Sequence, residues 1–164
     1  MNLVNPYRFA SAVSTSYANT GGTGDRRAGI TISQSSAGFP IASTPNLPLL
    51  LDGVTGGSPT WFSNSCPDNE WVKFNFGSGK IINEFKLYQS SATAQGTWKV
   101  QGSNDDTSWS DVGSSFTLGG GADPAVITAI SANTTSYQYY RLIKVSGSTT
   151  AAPYVREFEF KISA

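Results

Sequence analysis

Residues 71–109 constrain this chain more than any other stretch. They read W-V-K-F-N-F-G, then I-I-N-E-F-K-L-Y, then T-W-K-V-Q-G-S-N-D-D-T-S-W. Each piece is short, rich in aromatic and β-branched residues, and closed by Gly, Ser or Asn, which is how antiparallel strands joined by turns are written. Period-two alternation puts Phe74 with Phe76, Phe85 with Leu87, and Trp98 with Val100 on one face. The opposite face carries Lys73, Asn75, Glu84, Lys86, Lys99 and Gln101. One face is therefore expected to be core and the other wet.

The same pattern recurs along the chain. Strands are predicted at 30–33, 116–118, 126–130, 137–145 and 154–162. In the last of these Phe158, Phe160 and Ile162 should face in, and Glu157, Glu159 and Lys161 out. Leu49, Leu50 and Leu51 should be buried just before an Asp52-Gly53 turn, and Asn104-Asp105-Asp106 marks another turn, because such side chains bond their own backbone. No window of a dozen residues keeps helical periodicity. The expected fold class is all-β, a β-sandwich of jelly-roll type with about eight to ten short strands.

Composition narrows the chemistry. Charged residues make up 13% of the 164, with 11 basic and 11 acidic side chains, about half the usual charged share. Arg26-Arg27 is the only adjacent basic pair, so no basic track exists for a nucleic acid. There is no histidine, which removes imidazole bases, Ser-His-Asp and Cys-His nucleophiles and His-bearing zinc sites. The single cysteine, Cys66 in N-S-C-P-D, forms no internal disulfide and reads as a small buried residue. Asn5, Pro6 and Arg8 interrupt any signal-peptide core, and no apolar run approaches the ~20 residues of a membrane helix. The expectation is a non-enzymatic protein folded in the cytoplasm.

Five motifs in order carry a family resemblance. They are N-L-P-L-L-L-D-G at 46–53, Thr60-Trp61, the strands of 71–109 with V-Q-G-S-N-D, Tyr140-Arg141-Leu142, and R-E-F-E-F at 156–160. Together they resemble the discoidin, or coagulation factor 5/8 type C, domain and the related galactose-binding-like and carbohydrate-binding jelly rolls. The match spans roughly 28–162. It implies a division into an N-terminal docking or edge segment, 1–27, and a discoidin-like β-sandwich, 28–164. The opening N-P-Y-R-F-A resembles the starts of bacteriophage structural proteins, and an edge strand closing the sandwich is the alternative reading of that segment.

The resemblance also implies sites. In carbohydrate-binding relatives the D-G turn, the T-x-W element and a glutamate of the last strand often surround one structural Ca²⁺, which falls here on Asp52, Thr60 and Glu157. A simple turn at Asp52 and a Lys or Arg partner for Glu157 is the other reading. Sugars stack on aromatic faces and bond to planar polar groups. The expected carbohydrate-binding residues are Phe62, Tyr88, Gln95 and Tyr154, whereas Trp61, Trp71 and Trp109 are expected to pack in the core. Galactose-binding relatives often use a histidine in this pocket, and this chain departs from them there. Residues 90–96, S-S-A-T-A-Q-G, lack apolar tips and Lys, which disfavours membrane insertion.

These readings lead to a virion-associated protein, a bacteriophage capsid or tail appendage, with a discoidin-like module for host-surface carbohydrate. Its partners would be other virion proteins, bound through 1–27 or the sheet edges, and further copies of itself. A purely structural decoration protein with no glycan ligand is the alternative.

Overall fold

A bend in one long strand generates the two layers. The computed structural model describes residues 15–17, 22–35, 47–56, 66–89, 94–147, 149 and 155–163. Strands β1 (Thr15–Ser16) and β2 (Thr31–Gln34) precede a 3-10 turn at Leu47–Leu51, and β3 (Trp71–Gln89) follows. Then come β4 (Thr97–Ser103), β5 (Ser110–Thr117), β6 (Ala125–Ile127), β7 (Tyr137–Ser146) and β8 (Val155–Ser163). The two strands expected at 71–76 and 81–88 are thus one strand of 19 residues.

The first half of β3 pairs with β2 and β7, giving the layer β2-β3-β7-β4-β5. The second half pairs with β8 and β6, and β1 extends β8 at the edge. Every one of these pairings is antiparallel. The register breaks between Asn75 and Lys80, where Gly77 adopts φ 70°, a conformation that favours glycine. The Asn75 side chain accepts the Gly77 amide at 2.8 Å and fixes the start of the bend.

The bend carries its own buried polar network. Tyr140, 2% exposed, donates its hydroxyl to the Lys80 carbonyl at 2.7 Å and accepts the Ile82 amide at 3.3 Å. Asn133 donates to the Ile82 carbonyl at 3.0 Å, and Asn83 donates to the Asn133 carbonyl at 2.7 Å. Backbone groups freed by the register break are satisfied in this way.

The layers meet through aromatic rings. Phe74 lies 5.0 Å from Phe158 and 4.8 Å from Phe160, centroid to centroid and edge-on, the geometry ring quadrupoles favour. Trp98 and Phe158 are fully buried, as are Leu50 and Leu51. The expected inward faces of β3, β4 and β8 are therefore the observed ones. Residues 110–115 of β5 were not expected as strand: S-D-V-G-S-S holds one apolar residue, Val112, and that is the only buried position of the strand. Edge strands need a single inward anchor, so their apolar signal is weak.

The outer faces depart from expectation. Glu157 and Glu159 point away from the core, yet are only 0% and 3% exposed. The N-terminal segment packs on that face: Arg26 pairs with Glu157, Tyr17 donates to Glu84 at 2.7 Å, and Lys86 Nζ, 3.6 Å from Glu159, sits 4.0 Å from the Tyr17 ring centroid. Trp71 and Trp109, expected in the core, are partly exposed on the outside of the other layer. Period two assigns a residue to a face, and what later covers that face comes from elsewhere in the chain.

Tyr140→Phe keeps the ring but removes the group that satisfies Lys80 O and Ile82 N. It should lower unfolding stability by about 1–3 kcal/mol, measured by urea denaturation, with the far-ultraviolet circular dichroism spectrum unchanged.

Candidate functional site

Of the predicted ligand residues, Tyr88 and Glu157 pair at the end of the sandwich where β3 finishes and β8 begins. The turn after Leu51 places Asp52 beside this end, with its carboxylate accepting the Val54 amide at 2.8 Å. Gly53 follows with φ 83°, and a Cβ there would lie 2.6 Å from the Gly24 carbonyl carbon. Glycine is therefore required at Gly53 on two counts, backbone and space. Its amide donates to Glu157 Oε1 at 3.2 Å.

Glu157 also forms an ion pair with Arg26, and the two side chains are 0% and 3% exposed. Arg26 is anchored further: its guanidinium donates to the Phe158 carbonyl at 2.6 Å, and its amide donates to the Leu51 carbonyl at 2.8 Å. Burial pulls the guanidinium below its ordinary pKa, while the charges of Glu159, Asp25 and Asp52 oppose that. One arginine thus ties the 22–30 segment, the Leu47–Leu51 turn and β8 together.

Tyr88 stands across from Glu157 in register. Its hydroxyl donates to Glu159 Oε2 at 3.1 Å, and burial followed by the Glu159 charge raises its pKa. Next to it, Gln89 is bound on several sides: its amide donates to Asp123 at 3.0 Å, its side chain donates to the Ala122 carbonyl at 2.8 Å, and its carbonyl accepts Arg156 at 2.6 Å. Gln95, expected as an exposed loop amide, is 2% exposed. Its backbone links Leu118 and the Trp98 indole, so it supports the core beneath the loops rather than offering an amide to solvent. Phe62, Tyr154 and Thr60 lie outside the described residues, as do Trp61 and residues 1–14.

The structure brings Asp52 and Glu157 together through Gly53. Among the described residues, no group of three or more acidic or cysteine side chains assembles to hold a metal. Calcium prefers six to eight oxygen ligands, whereas Glu157 already faces a guanidinium. As arranged, Glu157 is taken up by Arg26 and Asp52 caps its own turn. Arg26 was missed from sequence because it shares D-R-R with Arg27. Only the fold separates an exposed Arg27, held by Asp25 at 2.6 Å, from a buried Arg26.

Residues 49–142 match the F5/8 type C family model described as a NedA-like, galactose-binding domain. The chain belongs to this family. No curated protein matches it in sequence. Among solved structures it resembles the family 32 carbohydrate-binding module of Clostridium perfringens NanJ in complex with galactose, with a TM-score of 0.61 and 12% identity, covering 85% of this chain and 98% of that one. An F5/8 type C domain from Bacteroides fragilis aligns with a TM-score of 0.61 and 15% identity, over 86% and 96%. A chitosan-binding module of a Paenibacillus sp. IK-5 chitosanase/glucanase aligns at 27% identity with a TM-score of 0.51, over 80% and 94%. The F5/8 type C jelly roll is thus common to all of them.

Arg26→Ala leaves Glu157 buried without its counter-charge and should cost about 3–5 kcal/mol. The double variant Arg26→Met/Glu157→Met should recover most of that loss. Denaturant titration of the three proteins checks both; a double variant no more stable than Arg26→Ala would show that the pair is not the source of the loss.

Proposed function

We propose that this chain is a non-catalytic carbohydrate-binding module that takes its ligand at the loop end next to Tyr88, with Phe62 and Tyr154 as stacking residues. Membership of the F5/8 type C family carries the reading. The neighbour bound to galactose and the chitosan-binding module support it. The state of the acids agrees: all 11 have a partner inside the fold. Glu157 is held by Arg26, Glu159 by Tyr88, Glu84 by Tyr17 and Glu70 by Ser35. Asp106, Asp111, Asp123 and Asp68 meet Lys73, Lys99, Arg156 and Lys144, while Asp25 meets Arg27. Asp52 and Asp105 cap their own turns. Glycoside hydrolysis needs two carboxylates facing each other across a sugar, and each of these carboxylates is already engaged by a donor or cation of the fold.

We place the module on a virus particle, as a host-attachment or decoration component. That step rests on the N-P-Y-R-F-A opening, which is outside the described residues.

A glycan array bearing galactosides and chitosan oligosaccharides, probed with the purified chain with and without EDTA, tests the reading. Binding to one glycan class is expected, and Phe62→Ala or Tyr154→Ala should weaken it about tenfold. No signal in either buffer, with retention on a capsid or tail protein, would favour the purely structural decoration protein instead. Thermal melting with added calcium accompanies it. Glu157 paired to Arg26 predicts no shift, whereas a rise of several degrees that vanishes in Asp52→Ala would establish an ion at Asp52, Thr60 and Glu157.

A further inference from the structure

The outer face of the layer β2-β3-β7-β4-β5 is hydroxyl- and amide-bearing at its margins, with Thr31, Ser33, Asn75 and Gln138, but not across its middle. There Trp71, Lys73, Tyr139, Arg141 and Trp109 are all partly exposed. Lys73 stands opposite Arg141 in register, so two cations share the centre. Lys73 Nζ lies 5.2 Å from the Trp71 ring centroid and 5.9 Å from that of Tyr139, while the Arg141 guanidinium carbon lies 4.2 Å from that of Trp109. The result is a strip of three rings and two cations, joined through the Lys73–Arg141 register. Beneath it Gln101 is only 9% exposed and Ser103 1%, so the strip lies over the sheet instead of standing away from it.

We propose that this strip is a second glycan-contacting surface, a flat platform for an extended polysaccharide chain, separate from the loop end. It rests on the carbohydrate-binding reading above. The cations do not call for an anionic ligand, because Lys73 is paired with Asp106 at 2.6 Å and Arg141 donates to Gln101 at 2.8 Å. What remains for a ligand is aromatic surface bordered by hydroxyls and amides, which suits the C–H faces and hydroxyls of a sugar polymer. Protein interfaces also draw on Trp, Tyr and Arg, but their buried centres are apolar, and among β2, β3, β4, β5 and β7 only Val145 is an exposed large hydrophobic. An open sheet face also accepts a chain of any length, which a pocket between loops does not.

The test is affinity electrophoresis of the full chain through gels containing hydroxyethylcellulose, galactan, mannan or soluble chitosan. At least one polymer should retard the protein, and Trp109→Ala and Trp71→Ala should each weaken that retardation about tenfold. Their short-oligosaccharide binding on the array and their melting temperatures should stay close to those of the parent. Tyr139→Ala replaces either tryptophan variant if that variant melts early. Retardation unchanged in these variants overturns the platform. So does the absence of retardation in a protein that still binds oligosaccharides, which leaves the loop-end reading standing. Failure of both assays overturns both. A dimer in sedimentation that Trp109→Ala dissociates would make the strip a contact between copies and likewise refute the platform.

Discussion

β3 belongs to both layers, and the bend at its centre fixes how those layers meet. A strand that changes sheets must break its hydrogen-bond ladder, and buried backbone groups left unpaired are costly. Here the Tyr140 hydroxyl and the Asn83 and Asn133 amides take over. Side chains from β3, the loop before β7, and β7 itself thereby converge on one point. Phe74 and Phe76, before the bend, can then face Phe158 and Phe160 of β8 across the core.

The two outer faces receive opposite treatment. Over β3 and β8 the chain lays its own N-terminal segment, and three outward-facing carboxylates are engaged there: Glu84 under Tyr17, Glu157 against Arg26, Glu159 against Tyr88. Over β2-β3-β7-β4-β5 the aromatics stay partly exposed, with their cations already neutralised or hydrogen-bonded. A buried ion pair such as Arg26–Glu157 contributes little net stability over an apolar pair, yet breaking it is expensive. Its role here is positional: it docks residues 22–30 onto β8 at one register and leaves Gly24 against Gly53, where a side chain on Gly53 could not fit.

What the sequence made legible follows from periodicity. Phe74, Phe85, Leu87, Trp98, Phe158 and Phe160 all lie on the faces that alternation assigned, because those strands have one core side and a strong apolar contrast. Cys66 is buried as expected, and that burial pushes its thiol up to about 12. Alternation has no means of describing a second covering layer, so Glu157 and Glu159 read as wet. Nor does it distinguish a tryptophan in the core from one lying on the outside of a sheet. Trp98 and Trp109 are equally aromatic in sequence; only the register, with Val100 beside one and Arg141 under the other, separates them. Gln95 illustrates the same limit. A polar residue between Ala and Gly reads as exposed loop, but its backbone is recruited to close the Trp98 indole and the β5 end.

The partition of charge bears on what the carboxylates of this sandwich can do chemically. A carboxylate becomes an acid or base catalyst when it is desolvated without a cation or hydrogen-bond donor to hold its charge, so that its pKa drifts toward neutrality. The acids here move the other way where a shift is resolved. Arg27 holds Asp25 down to about 2, the Ser108 and Thr107 amides hold Asp105 well below the carboxylate range, and Gln101 with Lys99 lowers Asp111. Such groups are fixed, charged and already hydrogen-bonded, which suits orientation of loops and not proton transfer. Aromatic faces and neutral amides are what the surface has left to offer. Those groups match sugar hydroxyls and C–H faces, which is the ligand chemistry proposed for this chain.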